Sequence, residues 1–238
     1  MVLQTEENKA MILAAGLGSR LKPLTDHVPK ALLEWEGRPL LEHVITKLKS
    51  AGFTSIIINV HHYAGMIMDF VKQKDRFGIE IEFSHEKDEL LDTGGGIAHA
   101  SWFFGKEPFL VYNVDIRSNI DLRAMYQDHL KSGATATLAV KERVTSRSLL
   151  MSRDGYLKGW RDNRSGETIL TGSGKEGLIP IAFSAIHIMD PLVFKLFPRE
   201  KSFPLMPFYL ELAKTNPVHL YRHDRDSWTD MGKMESYT

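Results

Sequence analysis

The stretch KAMILAAGLGSRLKPLTDHVPK, Lys9 to Lys30, decides the fold. Its opening, Lys9 to Ala15, is a short apolar run that stops at Gly16. A run of that length ended by glycine is the pattern of a strand buried on both faces. The loop that follows is punctuated by Gly16, Gly18, Pro23 and Pro29 and carries the cations Arg20, Lys22 and Lys30. Two familiar phosphate-binding patterns begin this way, and neither is completed. The dinucleotide fingerprint needs a third glycine where Leu21 stands, and the ATP-binding P-loop needs its glycine-lysine pair to begin there. What remains is a set of backbone N–H groups open to an anion, followed at once by a guanidinium.

Outward from this stretch, strands and helices alternate. Leu40, Leu41, Val44, Ile45 and Leu48 recur at helical spacing between Pro39 and Ala51, and Gly52 ends that helix. Ser55 to Val60 reads as a second buried strand, and Tyr63, Met66, Ile67, Phe70 and Val71 stripe a second helix. Ile79 to Phe83 is a strand, the glycines of DTGGG open a short helix near Ile97, and Phe109 to Tyr112 is a strand running into Asn113-Val114-Asp115. Asp121 is placed to cap a helix carrying Leu122, Met125, Tyr126 and Leu130. This rhythm implies an α/β fold with a Rossmann-like, doubly wound, mostly parallel sheet. After Ala136 it loosens into a more irregular C-terminal half. Strands are expected at ATLAVK and IAFSAIHIM, with a polar, glycine-rich stretch from Arg161 to Gly177 between them. Short helices are expected near Leu192–Phe197 and Pro207–Lys214. One domain over residues 1–238 is the expectation, with halves at about 9–135 and about 136–238.

Composition closes off other classes. Of 238 residues, 43% are hydrophobic and 25% charged, which excludes a disordered or collagen-like chain. Thirty basic residues balance thirty acidic ones, so no global positive field points to nucleic acid or anionic lipid as a partner. With no cysteine there is no thiol nucleophile, disulfide or cysteine-ligated metal. No stretch approaches the roughly 20 apolar residues of a membrane span. The first eight residues read as a polar tail without a signal peptide, which makes a cytoplasmic location the expectation. His61 and His62 leave a strand pointing in different directions, so they read as loop or core-edge residues rather than as metal ligands.

The segment from Ile12 to Leu33, ILAAGLGSRLKPLTDHVPKALL, resembles without a gap the N-terminal signature of the sugar-1-phosphate nucleotidyltransferases. Similarity continues in Gly37-Arg38-Pro39-Leu40, in NVHH after the second strand, in Ser84-His85-Glu86, in LDTGGGI at Leu91–Ile97, in Asn113-x-Asp115 and in WTDMG at Trp228–Gly232. LDTGGGI and the compact length look most like the bacterial mannose-1-phosphate guanylyltransferase and N-acetylmuramate-1-phosphate uridylyltransferase branch. The resemblance implies attack by a sugar-1-phosphate on the α-phosphorus of a nucleoside triphosphate, with release of pyrophosphate. Such a site needs cations and oriented N–H donors more than it needs a nucleophile. It implies that Ala14, Ala15, Gly16, Gly18 and Ser19 hold the nucleotide, together with Asn113, and that Glu86 and Gly94 lie near the base. Arg20 then neutralises the β- and γ-phosphates, and Lys30 serves the α-phosphate in the transition state. Asp115 and Asp230 are the implied magnesium ligands, an assignment that rests wholly on the resemblance.

Three departures stand out. Val114 replaces a usual glycine or alanine, and Lys233 replaces a usual threonine. Where relatives carry a glutamate-lysine pair for the sugar phosphate, this chain has Gly159-Trp160-Arg161-Asp162-Asn163-Arg164. Arg161 or Arg164 is the candidate for the phosphate and Asn163 for a sugar hydroxyl. The 238 residues leave out the β-helix or acyltransferase extension of longer relatives, so a single activity is expected. Two other readings share the N-terminal loop. A choline-phosphate cytidylyltransferase would want an aromatic cage, and a silent sugar-nucleotide sensor would have lost Arg20, Lys30, Asp115 or Asp230.

Overall fold

The structure, a computed structural model, describes residues 8–172 and 176–236. Most of the expected N-terminal tail and residues 173–175 of the glycine-rich stretch lie outside the described residues; Asn8, counted in the tail, begins the first strand.

In chain order the elements are β1 (Asn8–Leu13), a ribbon of β2 (Glu34–Trp35) and β3 (Arg38–Pro39), α1 (Leu40–Ser50), β4 (Phe53–Val60) and α2 (Ala64–Gln73). They continue with β5 (Glu80–His85), α3 (Asp92–His99), β6 (Phe109–Asn113), β7 (Ile116–Ser118) and α4 (Leu122–Ser132). The second half holds β8 (Ala136–Lys141), β9 (Arg147–Met151), β10 (Leu157–Asp162), β11 (Thr168–Leu170) and β12 (Ile179–Met189). Helices α5 (Val193–Leu196) and α6 (Leu205–Leu212) and strands β13 (Val218–Arg222) and β14 (Trp228–Asp230) complete it. Asp121 caps α4 as expected: its Oδ1 accepts from the N–H groups of Arg123 at 3.0 Å and Ala124 at 2.9 Å.

β1 lies between β6 and β4, and β5 follows β4, all parallel. The apolar runs are continuous because both sheet faces are covered. Alternate residues go to opposite sides. Ala10, Ile12, Ile56, Ile58, Leu110 and Tyr112 pack with α1, α2 and α4, whereas Met11, Ile57, Phe109 and Val111 pack with α3 and α6. Each such large side chain taken out of water contributes roughly 1.5–3 kcal/mol. Among the described residues no helix is long and apolar enough to cross a membrane.

The second half joins the same sheet through antiparallel pairing. β12 pairs with β6 through Ile186–Met189 and with β9 through Ile179–Ile181. β9, β10 and β11 form a meander at its edge, and β13 runs parallel to β8. The register of β12 against β8 slips between Phe183 and His187, and Ala185 there has φ 55°. This bulge marks the place where β12 changes partners.

The polar stretch from Arg161 therefore holds more strand than its composition suggests: the end of β10 and all of β11. The glycines of DTGGG open α3 as expected, and all three lie within it. Each costs about 1 kcal/mol of helix propensity relative to alanine, and the close contacts they allow are described below.

Candidate active site

The site forms at the carboxyl ends of the parallel strands, where open α/β sheets place their ligands. β1 ends at Leu13, and Ala14 turns away with its N–H donating to Asn59 Oδ1 at 2.7 Å. Asn59 lies at the same level on β4 and passes the link on, its Nδ2 donating to Glu86 Oε1 at 2.8 Å. Glu86, 2% exposed, accepts a second bond on Oε2 from the Leu91 N–H at 2.9 Å. One buried carboxylate thus fixes the exits of β1, β4 and β5 and the entry to α3. Gly18 must be glycine twice over: its φ is +66°, and a Cβ would lie 2.9 Å from Thr25 Cγ2. Its carbonyl accepts from the Leu21 N–H and from Thr25 Oγ1, which closes the loop on itself. Ser19 and Arg20 stand exposed on that loop.

Lys30 returns to the strand ends and donates from Nζ to Asp115 Oδ2 at 2.6 Å. Both side chains are largely buried, 16% and 9% exposed, so the attraction is weakly screened and the pair is costly to break. Asp115 stands two residues past the end of β6, and the next strand, β7, pairs antiparallel with β14. That ladder sets Asp230 opposite Ile116, while the Met231 N–H donates to the Asp115 carbonyl at 2.8 Å. Residues far apart in sequence are thereby joined by three residue pairs and one further bond.

Gly232 shows how tightly the groups converge. A Cβ there would lie 2.6 Å from Asp115 Oδ2, 2.9 Å from Asp230 Oδ1 and 3.2 Å from Arg20 Nη2. Two carboxylate oxygens and a guanidinium point at one cradle that only glycine leaves open. Two hard carboxylate oxygens on one cradle are a donor set suited to magnesium, which completes its shell with water and phosphate oxygens. Asp115 and Asp230 therefore fit the implied ion. Among the described residues no three His, Cys, Asp or Glu side chains gather into a fuller metal cage.

A cavity of about 460 Å³ opens beside the pair, lined by Ala15, Gly16, Lys30, Asn59, Glu86, Thr93, Asn113, Asp115 and Ser202 among others. Asn113 Oδ1 is buried there with no hydrogen-bond partner, an acceptor held ready for a donor. Gly94 is buried, and the close approach that requires glycine is that of Phe203: a Cβ would meet its ring at 2.2 Å, and the Gly94 N–H donates to the Phe203 carbonyl at 3.0 Å. Arg161 lines a different hollow, of about 520 Å³, with Leu150, Thr168 and Pro180. Asn163 Nδ2 is bonded to the Thr145 carbonyl and Ser148 Oγ. Neither lines the Lys30 cavity. His61 and His62 also stand off it; His61 Nδ1 is 2.6 Å from the Glu86 carbonyl oxygen.

Asn59, Thr93, Ser202 and Gly232 were not singled out from the sequence. Asn59 had a signal, an amide inside the apolar strand SIIINV that burial obliges to find partners. Ser202 had none, since its place depends on how the second half folds back over α3.

Comparison with known proteins gives the chain its family. Residues 9–148 match the family described as Nucleotidyl transferase, and the chain belongs to it. It is 33% identical over 229 residues to an N-acetylmuramate α-1-phosphate uridylyltransferase of Neisseria meningitidis, covering 94% of this chain and 93% of that one. The same-named protein of Caulobacter vibrioides is 31% identical over 88% of this chain and 86% of its own. Among solved structures, HddC from Yersinia pseudotuberculosis complexed with GMP-PN superposes with a TM-score of 0.76 at 24% identity, covering 97% of this chain and 96% of that one. At that identity the likeness speaks for the fold.

Proposed function

We propose that this protein joins a nucleoside triphosphate to a sugar-1-phosphate, giving a nucleoside-diphosphate sugar and pyrophosphate, with magnesium as cofactor. The observation that carries the reading is the convergence of Lys30, Asp115, Asp230 and Arg20 at the strand ends. The sugar-phosphate oxygen forms a bond to the α-phosphorus. The bond from that phosphorus to the β-phosphate oxygen breaks, and its electron pair leaves with pyrophosphate. Lys30 places a point charge where negative charge redistributes, and Arg20 neutralises the departing phosphates. Asn113 supplies an acceptor to a substrate hydroxyl, and the Ala14–Gly18 backbone lies along the nucleotide. Held by Asp115 and Asp230, magnesium would lower the repulsion between the two anionic substrates.

The cavity has no aromatic side chain in its lining, so a choline headgroup would find no cage. All four groups, of which a silent homologue would be expected to lose at least one, are retained and gathered. The test is pyrophosphate release from four nucleoside triphosphates, each with mannose-, glucose-, N-acetylglucosamine- and N-acetylmuramate-1-phosphate. Release with at least one pair, abolished by chelator, is expected. No release with any pair, or release indifferent to chelator, contradicts the reading.

A further inference from the structure

A polar cluster that the chemistry above leaves unused lies at the bulge in β12. Past the Phe183–Val140 pair, Ser184 and Ala185 leave the ladder with β8, and Ala185 takes a left-handed φ of 55°, a conformation costing a non-glycine residue about 1–3 kcal/mol. The freed groups find partners from the segments around Asp230. The Phe183 carbonyl accepts from Arg143 Nη2 at 2.8 Å, and the Ser184 carbonyl accepts from Trp228 Nε1 at 2.9 Å. Ser184 Oγ and His223 Nε2 lie 2.8 Å apart. The Arg143 guanidinium carbon sits 3.9 Å from the centroid of the Trp228 ring.

Trp228 and Asp230 are two residues apart on β14, so they share one face of that strand. Arg143 is close enough to feel the charge of Asp230, yet forms no ion pair with it among the described residues. Only one of its five N–H donors, on Nη2, has a hydrogen-bond partner there; Nε is buried without one. Its guanidinium thus lies over the Trp228 ring, on the strand that carries Asp230, fastened at one corner and with most of its donors unspent. A planar fork of that kind matches a phosphate group.

Which phosphate it meets follows from where it comes from. Arg20 and Lys30 reach the carboxylates from the N-terminal half, and the triphosphate is read there. Arg143 comes to the Trp228 ring, on the strand of Asp230, from the segment after β8, in the other half. We propose that Arg143, held by the β12 bulge and the Trp228 ring, binds the phosphate group of the sugar-1-phosphate. This inference rests on the activity proposed above, and it replaces Arg161, which stands in a separate hollow.

The test compares wild type with Arg143→Gln and Arg143→Lys on whichever nucleotide–sugar pair the panel identifies. Arg143→Gln should raise KM for the sugar-1-phosphate at least ~30-fold while KM for the nucleoside triphosphate stays within about twofold. Arg143→Lys, which keeps charge but loses the fork, should restore only part of that. A merely structural arginine would instead lower the melting temperature and disturb both KM values alike, and that result overturns the proposal. So does a folded Arg143→Gln or Arg143→Lys enzyme with sugar-phosphate KM unchanged.

A second readout needs no turnover. Inorganic phosphate should change Trp228 emission, identified as the part lost in Trp228→Phe, and Arg143→Gln should abolish the change. A change equal in both proteins, or absent from wild type, overturns the proposal. If no sugar phosphate is turned over but this signal requires Arg143, the activity reading fails and the phosphate site stands.

Discussion

Lys30 and Asp115 meet at 2.6 Å, and at that distance the lysine already does for the carboxylate what a bound cation would do. The pair links the glycine loop to β6 before any substrate arrives. If Lys30 serves the α-phosphate, Lys30→Ala should lower kcat by roughly two to three powers of ten. Lys30→Arg should not rescue fully, because a planar fork cannot replace a point charge at one oxygen. Breaking a buried pair costs about 3–5 kcal/mol, so the melting temperature must be followed alongside the kinetics. A folded Lys30→Ala enzyme with normal kcat and only a raised KM contradicts the role. At this scale much of the site was legible. Asn113, Asp115 and Glu86 stand at the ends of the buried strands β6 and β5, which the apolar runs mark, whereas Lys30 and Asp230 are brought there by the loop and by the β7–β14 ladder. Asn59 stands in NVHH, but its value lies in bonding Ala14 and Glu86 at once, a relation between three strand exits that no single motif displays.

Helix α3 shows what glycine does as an element rather than a residue. Three successive glycines let three different groups come in close. Phe203 lies on Gly94, the Lys201 carbonyl on Gly95, and Glu86 with Asn59 on Gly96. A Cβ on Gly95 would fall 2.1 Å from that backbone oxygen, which no rotamer change can relieve. Gly95→Ala should therefore destabilise the protein by about 1–3 kcal/mol despite alanine's better helix propensity, seen as an earlier urea midpoint. An unchanged or later midpoint would mean that the 201–203 segment does not pack on α3. What closes on Gly94 and Gly95 is the second half of the chain, at 201–203. β9, β10 and β11 were illegible for a related reason. LKGWRD is short, mixed in polarity and broken by glycine, and TIL is only three residues; they become strands because β12 extends an edge for β9, and β10 and β11 add to it in turn.

Across the whole molecule, one sheet with two cores holds the halves together. The N-terminal half could be read strand by strand because parallel strands buried on both faces are written as apolar runs. The C-terminal half is antiparallel and partly exposed, so its pattern is weaker. The cost of the shared core falls on its histidines. His187 is wholly buried between β12 and α6, its Nδ1 2.7 Å from the Tyr209 hydroxyl oxygen, and burial holds its pKa down to about 3. His129, beside Thr137, is held down to about 4, again mainly by burial. Both stay neutral when folded but gain protons near pH 6.5 when unfolded, so below that pH the unfolded chain binds more protons. Their contribution is complete above about pH 6.5 and is lost as pH falls towards about 3 and 4. The melting temperature of wild type should fall between pH 7 and 5, and His187→Gln should fall less steeply. Parallel declines would place the acid sensitivity elsewhere.

The central claim is that Asp115 and Asp230, brought face to face by the β7–β14 ladder, act as one magnesium site with Lys30 at its edge. The most direct test is a double-mutant cycle of Asp115→Asn and Asp230→Asn, read as pyrophosphate release across a magnesium titration. Asparagine is nearly isosteric, so both variants should keep the wild-type melting transition. The account predicts that each single change shifts the magnesium midpoint upward and cuts turnover, and that the double variant is little worse than either alone, since breaking one half spoils the same site. Fully additive losses with an unmoved magnesium midpoint would contradict it.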